Sequence, residues 1–429
     1  MYWCMLLLTL VATTRGVLGS RALFKTASSA FTFSQLQAAT RLQQSNTGRQ
    51  TTFVSLATIN DIMSAPQTHP ETKAKIVSSE QLRECGKRLR QGELVAFPTE
   101  TVYGLGCHAL DPDAVQKVFA AKERPLTDPL IVHVNNAADA LKLWQAHSDK
   151  ALLALTTTFW PGPLTLVAKA AANVPQILMA NTGFVACRSP SHPTARKLID
   201  YAQIPIAAPS ANKFGHVSPT RAAHVWDDLQ FEDVWIVDAE EVCNVGVEST
   251  VAKVMDDGRV TILRQGAISV EDIAACLQQA GLTHVVDSDI ARAVNDHVAT
   301  IAPGQSIRHY SPNIPSFIVA SAICTAPLTA DDKSALDTAI ILDFGGLLQT
   351  WNGSALAYRD LSTTGDSAEA ARAVFEALRW AELVEGGSRI LFPELKSVAG
   401  TDALTLALKD RLTRAASGVV IDALRQQIW

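Results

Sequence analysis

The sequence predicts an α/β protein with two folded domains. Three observations carry that expectation. The chain has 429 residues, more than one ordinary hydrophobic core accommodates. The apolar run Leu94-Val95-Ala96-Phe97 ends at Pro98, which cannot donate to a ladder, and two threonines, a carboxylate and a tyrosine follow at once. Polar groups shown where a strand ends are how α/β sheets usually build a site. Lastly, residues 316–429 alternate strand-like runs (316–320, 339–344, 389–392) with helix-like ones (367–383, 404–416), the pattern of a small βα domain with a parallel sheet.

Composition agrees with that class. Hydrophobic residues make up 48% and charged residues 18%, typical of a folded globular chain and not of a disordered one. The formal net charge of −5 argues against a basic protein that coats nucleic acid, while a local basic cleft remains compatible with it. The 7 cysteines include no C-x-x-C pair, so neither a zinc site nor a disulfide framework is suggested; they read as core thiols of a reducing compartment.

Residues 1–60 contain no Asp or Glu, and Arg15, Arg21, Lys25, Arg41 and Arg49 are scattered among Ser, Thr and Ala. That is the composition of an organelle transit peptide, mitochondrial or plastid, assigned to residues 1–62. A secretory signal is the rival, since an apolar stretch from Met5 to Val11 precedes small residues. No basic residue precedes that stretch, and it is too short to span a bilayer. Met63 would start a shorter, cytoplasmic form. No membrane association is expected.

Folded sequence begins near Lys75. Ser78 with Gln81 reads as a capping box, Leu82, Cys85 and Leu89 share one helical face, and Gly92 stops that helix. After the run at 94–97 the chain turns on Gly104 and Gly106. A helix from Asp113 to Ala121 ends at Lys122, Glu123 and Arg124, because Pro125 disfavours helical geometry before it. Two cations at a helix exit can complement the dipole, form a solvated face or clamp a phosphate. Residues 129–134 read as a strand interrupted by His133, a position usually filled by a satisfied core histidine. Residues 163–169 and 184–188 read as strands, the second ending in Arg188, either a surface cation or a bidentate clamp on a carboxylate.

A helix from Pro193 to Ala202 leads to a strand at 204–208 and then to a loop rich in small polar residues, Pro209 to Thr220, before another helix. That loop is either a capped turn or an anion site. No G-x-x-x-x-G-K-[ST] occurs, so the chain is not a P-loop NTPase. Residues 246–251 open a hairpin that turns at Asp256-Asp257-Gly258 and returns through 259–264, where Arg264 is either a strand-end surface charge or a site residue. A helix from Ser269 to Ala280 closes the first domain.

Three of these segments together resemble the YrdC family, which makes threonylcarbamoyl-adenylate. They are Pro98 to Gly106 (PTETVYGLG), Lys122 to Leu130 (KERPLTDPL) and Ser210-Ala211-Asn212, in the family's order. Asp128 stands where the family usually has Asn, a carboxylate that only accepts where an amide donates. The linker Ala302 to Pro312 is similar to the P-G-x-x-x-R-H-Y-x-P linker of the two-domain members, with Ser306 where Lys is often found. Residues 370–379 and 411–416 resemble their C-terminal domain more loosely.

The resemblance implies a YrdC-like twisted sheet with a concave cleft over residues 75–281, a linker or lid at 282–315, and a smaller Rossmann-like domain at 316–429. It implies Lys122 and Arg124 as catalytic cations. It places Thr101, His133, Arg188, Ala208 and Ser249 at threonine, with Arg188 on the α-carboxylate. Arg124, Asp128, Ser210, Asn212, Ser218, Arg264 and Tyr310 fall at ATP, with Mg²⁺ riding on the phosphates. The implied reaction joins L-threonine, bicarbonate or CO₂, and ATP into threonylcarbamoyl-AMP and pyrophosphate. The product would pass to a transferase that makes t6A at position 37 of ANN-decoding tRNAs. The rivals are a carbamoyl-adenylate former with another acceptor, and a non-enzymatic RNA-binding module with a weak RNA contact. The sequence of Arg308, His309 and Tyr310 between prolines reads as a lid over the ATP end, or else as packing that glues the domains.

Overall fold

The computed structural model describes residues 71–145, 150–239, 243–256, 259–282, 286–288, 310–324, 327–396 and 401–425. The transit-like segment, Met63, the hairpin tip at 257–258 and linker residues 289–309 lie outside the described residues.

The first sheet has eleven strands: β1 (Lys75–Ser78), β2 (Leu94–Phe97), β3 (Gly104–His108), β4 (Ile131–His133), β5 (Leu164–Lys169), β6 (Phe184–Arg188), β7 (Ile206–Ala207), β8 (Val234–Asp238), β9 (Thr250–Val254), β10 (Val260–Arg264) and β11 (Val286–Ser288). Their spatial order is β1-β8-β2-β3-β7-β4-β6-β5-β9-β10-β11, with parallel and antiparallel pairs mixed. Among the described residues, seven α-helices accompany it: α1 (Leu82–Arg90), α2 (Pro112–Lys122), α3 (Ala137–Leu141), α4 (Lys150–Phe159), α5 (Pro193–Ala202), α6 (Ala222–Leu229) and α7 (Val270–Gln279).

Strand β2 shows how the layers form. Leu94 and Ala96 join one core with Val115, Val118 and Leu130, while Val95 and Phe97 join another with Leu89 and Leu198. Successive side chains of a strand point to opposite faces, so a strand covered on both sides reads as one continuous apolar run. Strand β2 is therefore wholly buried, with α1 and α5 packed together on one side.

The second sheet is parallel throughout, in the order β14-β13-β15-β12-β16. It runs β12 (Ser316–Val319), α8 (Ser321–Cys324), α9 (Ala330–Leu336), β13 (Ala339–Asp343), β14 (Ala357–Asp360), α10 (Ser367–Glu382), β15 (Arg389–Pro393), α11 (Ala403–Ala415) and β16 (Val420–Ile421).

Two local expectations are corrected. Ser78 makes no capping bond: it ends β1 opposite Asp238, residues 79–81 form a tight 3₁₀ turn, and α1 starts only at Leu82. True capping boxes form instead at Ser269 with Asp272 and at Thr329 with Asp332. Gly104 and Gly106 do not make a turn. They sit inside β3, where a Cβ on Gly106 would lie 2.8 Å from the Phe97 ring and 2.9 Å from Ile206. Glycine is needed there for close approach.

The two sheets share a core. Val102, Val217, Val247 and Tyr310 cluster with Ile340, Phe375, Leu378 and Leu412 of the second sheet's layers. Gly246, at φ +76°, lies so close to α10 that a Cβ would overlap the main chain of Ala371 and Arg372. Gly246→Ala therefore combines a left-handed conformation with a backbone clash. We expect it to destabilise by at least about 2 kcal/mol and to lower the unfolding midpoint by several degrees. Gly353, with open space around it and no left-handed φ, is the control, expected within about 0.5 kcal/mol of wild type when changed to Ala. Equal midpoints for both variants in a thermal scan would refute this close packing.

Candidate active site

The strand ends of the first sheet converge on one cavity of about 50 Å³, lined among others by Thr101, Arg124, His133, Arg188, Ser249, Arg264 and Tyr310. Thr99 and Thr101 come from the β2–β3 loop, His133 from the end of β4 and Arg188 from the end of β6. Ala208 and Ser210 follow β7, Glu248 and Ser249 precede β9, and Arg264 ends β10.

At one end of the cavity sits Arg188. Its Nη2 meets Glu100 Oε1 at 2.8 Å, and its Nη1 donates to the Thr101 hydroxyl at 2.9 Å. Burial alone would raise the Glu100 carboxyl, but the Arg188 charge and hydrogen bond hold it below its ordinary value. His133 stands edge-on to Phe97, its pKa pushed down to about 3 by burial and by Arg188, so the ring is neutral. Ser249 shares a hydrogen bond of 2.7 Å with Thr165.

At the other end are Arg124, Arg264 and Tyr310. Arg124 follows α2, whose first turn Asp111 caps and whose C-cap, Glu123, takes a left-handed φ of 55° that turns the chain back. Its guanidinium donates to the carbonyls of Asp128 (3.0 Å) and Pro129 (2.9 Å) and pairs with the Asp128 carboxylate at 2.9 Å. Arg264 donates to the Ser249 carbonyl and hydroxyl, each at 3.1 Å. Burial lowers both guanidinium pKa values from their ordinary range. Tyr310 is fully buried. It faces this cavity and also packs 5.4 Å from the Phe375 ring of α10.

The structure thus gathers Thr101, Arg124, His133, Arg188, Ala208, Ser210, Ser249, Arg264 and Tyr310 around one space. Four expected residues stand behind that lining. Lys122 is fully buried and its Nζ donates to the carbonyls of Ser210 (2.5 Å) and Asn212, so its ammonium braces the loop and does not face the cavity. Burial and neighbouring Arg124 lower its pKa well below the ordinary value. Asn212 donates to the carbonyls of Lys213 and His216, Asp128 pairs with Arg124, and Ser218 donates to Glu248 Oε1 at 2.6 Å.

Sequence reasoning missed Glu100, Glu248 and a network that ties the 209–220 loop to α10. In that network His216 Nδ1 meets Asp228 at 2.9 Å and its Nε2 meets Glu382 at 3.1 Å, while Arg379 pairs with Asp228 at 3.0 Å and donates to the Val217 carbonyl. Only the glutamates carried a signal, as members of the two motifs already noted.

Such convergence of buried cations, hydroxyls and main-chain groups at strand ends defines an α/β anion-binding pocket of the kind enzymes use. Residues 87–266 match the telomere-recombination family (Sua5/YciO/YrdC), and residues 268–417 match the threonylcarbamoyl-AMP synthase C-terminal domain. The threonylcarbamoyl-AMP synthase of Pyrococcus abyssi is 40% identical over 231 residues, 54% of this chain and 65% of its own length. That of Bacillus subtilis is 43% identical over 237 residues, 55% of this chain and 65% of its own. In each case the matched stretch spans just under two thirds of the relative. The solved structure of P. abyssi Sua5 complexed with L-threonine superposes with a TM-score of 0.68 at 31% identity, covering 82% of this chain and 99% of that one. The chain belongs to the Sua5/YciO/YrdC family.

Burial would lower the His216 pKa, but hydrogen bonds that its ring donates to the Asp228 and Glu382 carboxylates raise it to about 9 despite Arg379 nearby. A group raised on folding stabilises fully below its unfolded value of about 6.5, and the contribution is lost as pH climbs through about 9. Wild type should therefore lose more stability than His216→Gln between pH 6.5 and 9. Parallel midpoint-versus-pH curves for the two proteins would remove His216 from that window.

Proposed function

We propose that the chain is an L-threonylcarbamoyladenylate synthase, a nucleotidyltransferase that joins L-threonine, bicarbonate or CO₂, and ATP into threonylcarbamoyl-AMP, with pyrophosphate released. One observation carries the reading. A single cavity is lined both by a candidate carboxylate clamp, Arg188 with Thr101, and by two further buried cations, Arg124 and Arg264. L-Threonine is also what the P. abyssi relative was solved with.

In this reading Arg188 takes the α-carboxylate of threonine, and neutral His133, Ser249 and the Ala208 main chain complete its pocket. The threonine amine is carboxylated, a carbamate oxygen attacks the α-phosphate of ATP, and pyrophosphate leaves. Arg124 and Arg264 spread the charge that develops on phosphorus, and the fixed geometry supplies proximity. Lys122 holds the Ser210–Asn212 loop in place for the nucleotide. Among the described residues no group of three or more His, Cys, Asp and Glu is placed to hold a metal. The cavity lining, rich in arginine, suits Mg²⁺ carried on the phosphates, where it would add charge neutralisation. The product feeds t6A formation on ANN-decoding tRNAs through a separate transferase, and the acid-free N-terminus addresses the longer form to an organelle.

In the same reading the linker is a lid over the ATP end, whose closure keeps water from the carbamate and the adenylate. Tyr310, which lines the cavity, supports that reading. Because Tyr310 also packs between the domains, Tyr310→Ala would confound gating with stability. Tyr310→Phe keeps the ring and isolates the hydroxyl.

Pyrophosphate release is expected only when ATP, L-threonine and bicarbonate are all present, and equal release without threonine would sink the synthase reading. Arg124→Ala should cut kcat/KM by about two orders of magnitude or more, and Arg188→Lys should raise KM for threonine because the bidentate fork is lost. Tyr310→Phe should keep the unfolding midpoint and weaken ATP use or leak product. Wild-type kinetics in this variant would exclude the hydroxyl from the lid's action.

A further inference from the structure

Among the described residues that line the cavity, Glu248 is the only carboxylate. Next to a triphosphate that is an awkward group, because like charges in a desolvated site repel strongly. Its surroundings answer the difficulty. Oε1 accepts the Ser218 hydroxyl at 2.6 Å, and Oε2 accepts Arg411 Nε at 3.1 Å. Arg411 belongs to α11 of the second domain and is fully buried.

The remaining bonds of Arg411 point the same way. Its Nη1 donates to the Gln265 carbonyl at 2.7 Å, just past Arg264, and its Nη2 to the Glu248 carbonyl at 3.4 Å. Its guanidinium carbon lies 5.6 Å from the Tyr310 ring centroid. Within its own domain it meets the Asp410 carboxylate only at 3.4 Å, and Asp410 is held more closely by Arg414 at 3.0 Å. A buried guanidinium is costly unless its partners repay the desolvation, and here most of those partners lie in the first domain.

We propose that Arg411 is a positioning residue for the nucleotide end of the cavity, supplied by the second domain. It neutralises Glu248, so that this carboxylate orients the Ser218 hydroxyl and the 209–220 loop without repelling the phosphates. The inference rests on the synthase reading above. It gives the second domain a defined part in the reaction: completing the electrostatics of the ATP pocket while leaving the threonine clamp, Arg188 with Glu100 and Thr101, to the first domain alone.

Calorimetric titration of MgATP and, separately, of L-threonine into the full chain tests it. Arg411→Gln should weaken MgATP binding about tenfold or more while changing threonine binding less than about threefold. The double variant Arg411→Gln with Glu248→Gln should recover MgATP binding to within about threefold of wild type, because the uncompensated charge is gone. A purely structural tie between domains predicts no such rescue. Undiminished MgATP binding in the single variant, or a double variant no better than the single, would overturn the proposal. Should Arg411→Gln fail to fold, Arg411→Lys keeps the charge and is expected to bind MgATP within about threefold of wild type; a loss of tenfold or more would overturn the proposal there. Wild type that binds no MgATP would overturn the synthase reading, and this inference with it.

Discussion

The arrangement of the first sheet depends on giving desolvated basic side chains hydrogen-bond partners. Arg124, Arg188, Arg264 and Lys122 are each at most 6% exposed. A buried polar or charged group is costly unless it is paired. Their partners come from several elements, some near in the chain and some far. Arg188 is held by Glu100 and by the Thr101 hydroxyl from the β2–β3 loop. Arg124 is held by the carbonyls and carboxylate just beyond it, Arg264 by the main chain of Ser249, and Lys122 by two carbonyls of the 209–220 loop. A sheet whose strand ends meet at one place is what brings these partners within reach. Glycine at 106 is part of the same requirement, since it lets β3 lie against Phe97 and Ile206.

The second domain is joined to this arrangement and is more than an appended module. Its helices α10 and α11 send Arg379 and Arg411 into the first domain. Each meets a carboxylate there, Asp228 or Glu248, that stands beside the 209–220 loop. Around these ion pairs lies the shared apolar core of Val102, Val217, Val247 and Tyr310 with Phe375 and Leu412. The consequence is an asymmetry within one small cavity. Side chains at its Arg188 end are held by the first domain, whereas those at its Tyr310 end are held by both. Breaking a buried pair costs about 3–5 kcal/mol, because the surviving charge is left without compensation. The two crossing arginines therefore tie the shape of the loop to the docking of the second domain.

Much of this was legible in the sequence, and the physical reason is locality. Helix α5 matches its expected bounds from Pro193 to Ala202, where a proline opens the first turn, and β2 and β6 match their apolar runs. The parallel second sheet was legible from three strand-like and two helix-like runs, while β14 and β16 were not among them. Short connections were not. Strand β7 keeps only Ile206 and Ala207 of a five-residue run, since Pro205 and Pro209 cannot donate to a ladder. The capping box at Ser78 fitted a local pattern and lost to the β1–β8 pairing. In the site, residues inside the motifs were found. Which of them face the cavity was hidden, because Lys122 and Arg124 are two positions apart and only folding turns one toward carbonyls and the other toward the lining. Arg379 and Arg411 carried no usable signal: their partners lie roughly 150 positions away, at separations of 151 and 163.

Tyr310 joins these threads. Its ring is wall to the cavity, partner to Phe375 and neighbour to Arg411. Burial, then the Glu248 charge, push its hydroxyl pKa up to about 12, so it stays a neutral donor throughout the physiological range. Displacing the ring would disturb its contacts with Phe375 and Arg411, and Arg411 in turn holds Glu248 and, through it, Ser218. The Tyr310 end of the cavity is thus built into the domain interface, through a ring packed on Phe375 and an ion pair at Glu248. A small side chain at 310 would leave cavity wall and interface independent. An aromatic ring shared between them makes one residue serve both.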